Sequence, residues 1–278
     1  MQYINFNGNI HHQHEPLIPV TNRGFKYGDS FFETMVMFKK QMPLLLHHFT
    51  RIDYTTGVLG ATLPKRFNLD TFVNMVLDLA SVNEAVENAR IRLQFYRKGD
   101  GFYLPEDEEL GYTIGMEKIE NSEFVTGAGL VVGMRYDCFK PASMVSDLKS
   151  SNALNYILAA QMAKAEGWDE CILLSDADTV CEAISSNLFL VKGDKLITPS
   201  LESGCVNGVM RACLSSLFTE DTMEEREVSV EELLEADEIL LTNAVRGIQW
   251  VRQFQGKTYN NVKATELTAL LNTTLLNP

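Results

Sequence analysis

From 89 to 97 the chain alternates, with Ala89, Ile91, Leu93 and Phe95 on one side and Arg90, Arg92, Gln94 and Tyr96 on the other. A period of two marks a strand with one apolar and one polar face. A hairpin is expected at 3–10, turning at Asn7-Gly8, a pair suited to the backbone of a tight turn. The stretch 31–38 is rich in β-formers, and helical stretches follow at 48–60 and 69–80. Beyond a Gly- and acid-rich loop over 98–110, another strand is expected at 111–118. The polar tetrad Glu120-Asn121-Ser122-Glu123 then reads as a junction, dividing the chain into domains of residues 1–120 and 121–278.

In the second domain the pattern predicts a strand over 128–136 and a loop from Pro141 to Asp147. A helix over 151–166 carries Leu154, Ile157, Leu158, Met162 and Ala165 and stops at Gly167. Strands follow at 170–175 and 187–192, the latter turning at Gly193-Asp194 into Lys195-Leu196-Ile197. A helix begins near Gly208, Ser229-Val230-Glu231-Glu232 has capping-box spacing, and 238–242 reads as a buried strand. Helices and strands interleave without an internal repeat, so the expected class is mixed α/β in two lobes.

With 278 residues the chain can bury a sizeable core. Its net charge of -13 argues against nucleic acid and anionic membrane as partners, since both call for a positive face. No apolar run approaches the roughly 20 residues of a membrane helix. The first residues lack the basic start and apolar stretch of a signal peptide. Five cysteines, an odd number without a Cys-x-x-Cys pair, fit reduced thiols and a cytoplasmic location. His11, His12 and His14 have no second cluster of ligands, so no metal is expected.

Three segments carry candidate chemistry. Lys149 opens Lys149-Ser150-Ser151-Asn152-Ala153-Leu154-Asn155-Tyr156; Glu182 follows among nonpolar neighbours, ahead of Ser185-Ser186-Asn187-Leu188-Phe189; and Gly208-Val209-Met210 starts a helix. Together they supply an amine, an acid and an anion cradle, the three contacts that a pyridoxal phosphate ring needs. An unpaired carboxylate at Glu182 is costly, and a protonated ring nitrogen would be its missing partner.

From Asn22 to about Trp250, and most strongly from Lys149 onward, the chain resembles the class IV, fold-type IV pyridoxal-phosphate enzymes. These include branched-chain and D-amino-acid aminotransferases and 4-amino-4-deoxychorismate lyases. The resemblance implies a small N-terminal α/β domain and a larger C-terminal pseudo-barrel domain. It implies that Lys149 forms the Schiff base and shuttles a proton, and that Glu182 holds the ring nitrogen. Arg51, Gly208, Val209, Met210, Asn243 and Ala244 would serve the phosphate end, and Tyr156 the phenolic oxygen. Tyr27 and Phe32 would line the side-chain pocket, with Arg92 on a substrate carboxylate. The loop after Gly99 reads Asp100-Gly101-Phe102-Tyr103, without the Arg-x-His pair of the D-amino-acid enzymes. An aminotransferase acting on an amino acid and a 2-oxo acid is the expected activity, working as a homodimer. Two alternatives are an aminodeoxychorismate lyase that releases pyruvate and p-aminobenzoate, and a non-catalytic cofactor-binding protein.

Overall fold

The alternation over 89–97 becomes a strand with Ala89, Ile91, Leu93 and Phe95 buried and Arg90, Arg92 and Gln94 half-buried on the opposite face. The computed structural model describes residues 2–84 and 87–276. They divide into two units, Met1–Ser122 with Leu148–Asn152, and Glu123–Asp147 with Ala153–Pro278.

The first unit runs β1 (Tyr3–Phe6), β2 (Asn9–His12), α1 (Arg23–Tyr27), β3 (Ser30–Met37), α2 (Leu45–Leu59), α3 (Leu69–Val82), β4 (Ala89–Arg97) and β5 (Leu110–Lys118). Among the described residues its strands form one antiparallel sheet in the order β2-β1-β5-β4-β3. The hairpin turn falls at Asn7-Gly8, where both residues have positive φ. Phe72, Val76 and Leu79 of α3 and Ile52 of α2 pack on Phe31, Met35, Ile91 and Phe95 to make the core. The outer edge of β3 is then extended by the short segment 148–152. Phe31 bridges Ser150, the Phe32 N–H donates to the Lys149 carbonyl at 3.0 Å, and the Ser151 N–H donates to the Ser30 carbonyl at 3.0 Å. This pairing delays the following helix, which starts at 154 instead of 151.

The second unit contains β6 (Leu130–Phe139), α4 (Leu154–Glu166), β7 (Glu170–Leu174), β8 (Val180–Ala183), β9 (Asn187–Lys192), β10 (Lys195–Pro199), α5 (Val209–Leu217), β11 (Met223–Arg226), α6 (Val230–Glu235), β12 (Glu238–Asn243), β13 (Gly247–Phe254), β14 (Lys257–Thr258) and α7 (Val262–Leu276). Its main sheet runs β11-β10-β9-β12-β13-β6-β7-β8, with β14 beside β13. The pairs β10–β11, β13–β6 and β6–β7 are parallel. The terminal strand β8 comes back against β9 and β10, which curls the sheet into a half-barrel. Ile172, Leu188, Leu190, Ile239, Leu241 and Val251 fill its interior. The capping box at Ser229 forms as its spacing predicts. The helix α4 turns Ala159 and Ala163 inward and leaves Leu154, Ile157 and Leu158 exposed. No helix among the described residues is long and apolar enough to cross a membrane.

Candidate active site

Strand β8 is buried at all four positions, and Glu182, at 3% exposure, shares with Leu173 the sheet face that meets α4, opposite to Ile172 and Ala183. Its Oε1 accepts from Lys140 Nζ at 2.8 Å and from the Tyr156 hydroxyl at 2.6 Å, and its Oε2 accepts from the Val206 N–H at 3.0 Å. The expectation that Glu182 lacks a partner without a cofactor is therefore corrected: Lys140 supplies the counter-charge. Burial, reinforced by the Glu182 charge, pushes the Tyr156 phenol far above its ordinary range, so it stays a donor. A carboxylate offers about four lone-pair positions. Three are filled, and among the described residues none donates to the remaining one on Oε2.

Val206 leads directly to the start of α5. Gly208 is its N-cap, and among the described residues the N–H groups of Gly208, Val209 and Met210 find no acceptor in the chain. A Cβ at Gly208 would stand 1.8 Å from Asn187 Oδ1, so a larger residue there must displace that side chain. Asn187 in turn donates from Nδ2 to the Val206 carbonyl at 2.8 Å and pairs with Thr242 across β9 and β12. Next along β12, the Asn243 side chain accepts from Val245 and Arg246 N–H at 3.0 and 2.8 Å and donates to Ser186 Oγ at 3.1 Å. Asn243 thus folds its own turn, with Ala244 buried behind it. Open N–H groups at a helix start attract an anion through hydrogen bonds and the helix dipole.

In the first unit, Lys149 is half-buried, with Nζ 4.8 Å from the Phe32 ring centroid. Arg92 Cζ lies 3.2 Å from the same centroid, and its guanidinium donates to Gln94 Oε1 at 3.0 Å. Burial, with Arg90 adding to it, lowers Arg92 to about 10. Tyr27 stands on α1 with its ring near Arg23 and Lys26. On α2, Arg51 Nε donates to Glu33 Oε1 at 2.8 Å and Nη2 to Glu33 Oε2, while His48 Nδ1 meets Oε2 at 2.6 Å. Burial alone would raise the Glu33 carboxyl, but Arg51 and His48 outweigh it and hold it down to about 2. Burial lowers His48, with Arg51 and Lys149 adding to the effect against Glu33, so it serves as a neutral donor.

The sequence model of the amino-transferase class IV family matches residues 30–254. The chain belongs to the class IV aminotransferases. Over 96% of its length it is 27% identical to the "Putative branched-chain-amino-acid aminotransferase" of Methanocaldococcus jannaschii, covering 93% of that protein. It is 24% identical to the D-alanine aminotransferase of Bacillus licheniformis, with 98% of this chain and 95% of that one covered. The fold matches the solved branched-chain aminotransferase from Thermoproteus uzoniensis at a TM-score of 0.87, with 21% identity over 99% of this chain and 95% of that one.

Class IV aminotransferases depend on pyridoxal phosphate, and the second unit's donors fit it. The unused acceptor position on Glu182 Oε2 suits a protonated ring nitrogen, and the open N–H groups at 208–210 suit a phosphate dianion. The structure brings Glu182, Tyr156 and the α5 start into one bonded cluster, and Lys149, Phe32 and Arg92 into another. Tyr156 and Asn243 spend their donors on Glu182 and on the 185–186 backbone and hydroxyl, contacts their motifs do not suggest. Lys140 is absent from the sequence-derived site because it reaches Glu182 across 42 positions with no shared periodicity.

Proposed function

We propose that this class IV aminotransferase moves an amino group between an amino acid and a 2-oxo acid, with Lys149 and Glu182 serving one pyridoxal phosphate. The observation that carries this reading is the buried Glu182 carboxylate, fixed by three donors yet keeping one acceptor position on Oε2. The bound cofactor supplies an aldehyde and a ring that withdraws the electrons released at the substrate Cα. Lys149 would hold the cofactor through its amine, and the same amine would take up and return the proton at the substrate Cα. Gly208, Val209 and Met210 donate backbone N–H groups to the phosphate, and Arg51 adds positive charge for it. Tyr156 keeps Glu182 in place while its own oxygen stays able to accept. Arg92 pairs with a substrate carboxylate against the Phe32 ring, and Tyr27 borders the side-chain pocket. The names of the relatives, one for branched-chain amino acids and one for D-alanine, favour an apolar side chain. The working form is a homodimer.

Mixing the purified protein with glutamate, leucine or either hand of alanine tests this. Conversion of the cofactor from its aldehyde to its amine absorbance is expected with at least one, and loss of it by more than about a thousandfold in Lys149→Ala. No conversion with any of them, together with release of p-aminobenzoate from aminodeoxychorismate, would replace this reading by the lyase.

A further inference from the structure

Glu182 comes with a cation of its own. Lys140 Nζ donates to Glu182 Oε1 and to the Ser146 carbonyl, both at 2.8 Å, and lies 5.4 Å from the Tyr156 ring centroid. Both side chains are out of water, at 8% exposure for Lys140 and 3% for Glu182. An ammonium or a carboxylate buried this far persists as a charge only beside its opposite. The other titratable groups facing Glu182 are Tyr156, Cys181 and Cys205. Burial raises all three, and the Glu182 charge adds to it, so each stays neutral. Among the described residues, Lys140 is the cation that balances this carboxylate.

We propose that Lys140 is a positioning residue that holds Glu182 as an oriented carboxylate before any cofactor binds, and then shares that anion with the cofactor's ring nitrogen. The second half rests on the assignment of Glu182 to that nitrogen made above. Lys140 and Tyr156 occupy Oε1 while the Val206 N–H fixes Oε2, which sets the plane of the carboxylate and leaves one lone pair of Oε2 for a ring N–H. A carboxylate already paired with an ammonium attracts a proton on the ring nitrogen less strongly than a bare one. Lys140 thereby moderates the electron withdrawal of the bound ring.

The test compares the full-length wild type with Lys140→Met, Lys140→Arg and the double variant Lys140→Met/Glu182→Gln, each stripped of cofactor and then reloaded. In stripped Lys140→Met, Glu182 is buried without a cation, so the folded chain holds a proton that the unfolded chain releases near pH ~4.3. The folded state then binds more protons, and its stability falls as pH rises. Between about pH 5.5 and 8 its melting temperature should drop about 5 °C more than that of the wild type. Lys140→Arg should follow the wild type, and the double variant should lose the extra slope. Parallel curves for wild type and Lys140→Met, or an extra slope that survives Glu182→Gln, overturn the proposal.

With pyridoxal phosphate bound, the ring nitrogen supplies a cation, and the extra slope of Lys140→Met should shrink by half or more. A slope present in the stripped protein and undiminished on reloading overturns the sharing, and with it the assignment of Glu182 to the ring nitrogen. A slope missing from the stripped protein overturns the role of Lys140 and leaves that assignment standing. Lys140→Gln, which keeps a donor without the charge, carries the same comparison if the methionine variant does not fold.

Discussion

Glu33 shows how one buried carboxylate controls the surroundings of an assigned site residue. Arg51 and His48 together hold it at about 2, against an ordinary 4.5, despite complete burial. Below about pH 4.5 the unfolded chain therefore binds the proton that the folded chain refuses. The stability this gives is present above pH 4.5 and is lost as pH falls toward 2, on the order of 3 kcal/mol in all. In Glu33→Gln that part of the acid limb should vanish. The variant should also be less stable by about 3–5 kcal/mol at neutral pH, because Arg51 keeps its charge without its anion. Urea midpoints from about pH 2.5 to 7 measure both effects, and equal acid slopes in variant and wild type would refute the account. At this scale the sequence showed which residues carry charge but not their partners. Lys149 and Glu182 stand out because each sits in a run with recognisable spacing. The pairs Arg51–Glu33 and Lys140–Glu182 form across 18 and 42 positions, where no local period links the partners.

At the level of elements, the start of α5 offers a sharp test of the anion cradle. Gly208→Ala would force its Cβ into Asn187 Oδ1, 1.8 Å away, so Asn187, which holds the Val206 carbonyl, or the turn itself must shift. Affinity for pyridoxal phosphate should fall at least about tenfold in an absorbance titration, with a stability cost of about 1–3 kcal/mol; unchanged affinity would remove 208–210 from the phosphate site. The β3 edge offers a second test. Ser151→Pro deletes the N–H that donates to the Ser30 carbonyl and so loosens the strand segment that carries Lys149. Turnover should drop about a hundredfold with the fold retained by circular dichroism, since catalysis is sensitive to small misplacements of the reacting group. Full turnover in this variant would show that the β3 bridge does not orient the lysine. Elements with clean periods, such as β4, were legible in the sequence. Strand β13 was not, because its register shifts between Val251 and Gln253 and breaks the alternation. In α4 the apolar spacing was visible, but Leu154, Ile157 and Leu158 face outward while Tyr156, Ala159, Met162 and Ala163 pack inward. The re-entry of 148–152 onto β3 leaves no pattern at all, since a single bridge needs only backbone groups.

For the molecule as a whole, the sequence gives class and charge more readily than assembly. Interleaved helices and strands imply a mixed α/β fold, and the strand–helix–strand run β6-α4-β7 pairs in parallel as such a run does, yet the parallel pairing of β6 with β13 joins segments far apart in the chain and carries no local signal. Assembly is where charge and exposed apolar surface oppose each other. Leu154, Ile157 and Leu158 are 73%, 50% and 53% exposed along one face of α4, and covering such side chains gains about 1.5–3 kcal/mol each. In the proposed homodimer, two copies meeting through this face would each bring a net charge of -13, and their repulsion would be long-ranged at low salt. At about 0.15 M salt the screening length is about 8 Å, which removes most of that repulsion while leaving the apolar contact intact. Sedimentation at physiological salt should therefore give twice the 31.3 kDa chain mass, and the dimer should weaken as salt is lowered. Leu158→Glu adds a buried charge to the contact and should shift the protein to monomer at micromolar concentration, with its melting behaviour otherwise close to wild type. A variant that stays dimeric, or a dimer that tightens at low salt, would place the interface elsewhere.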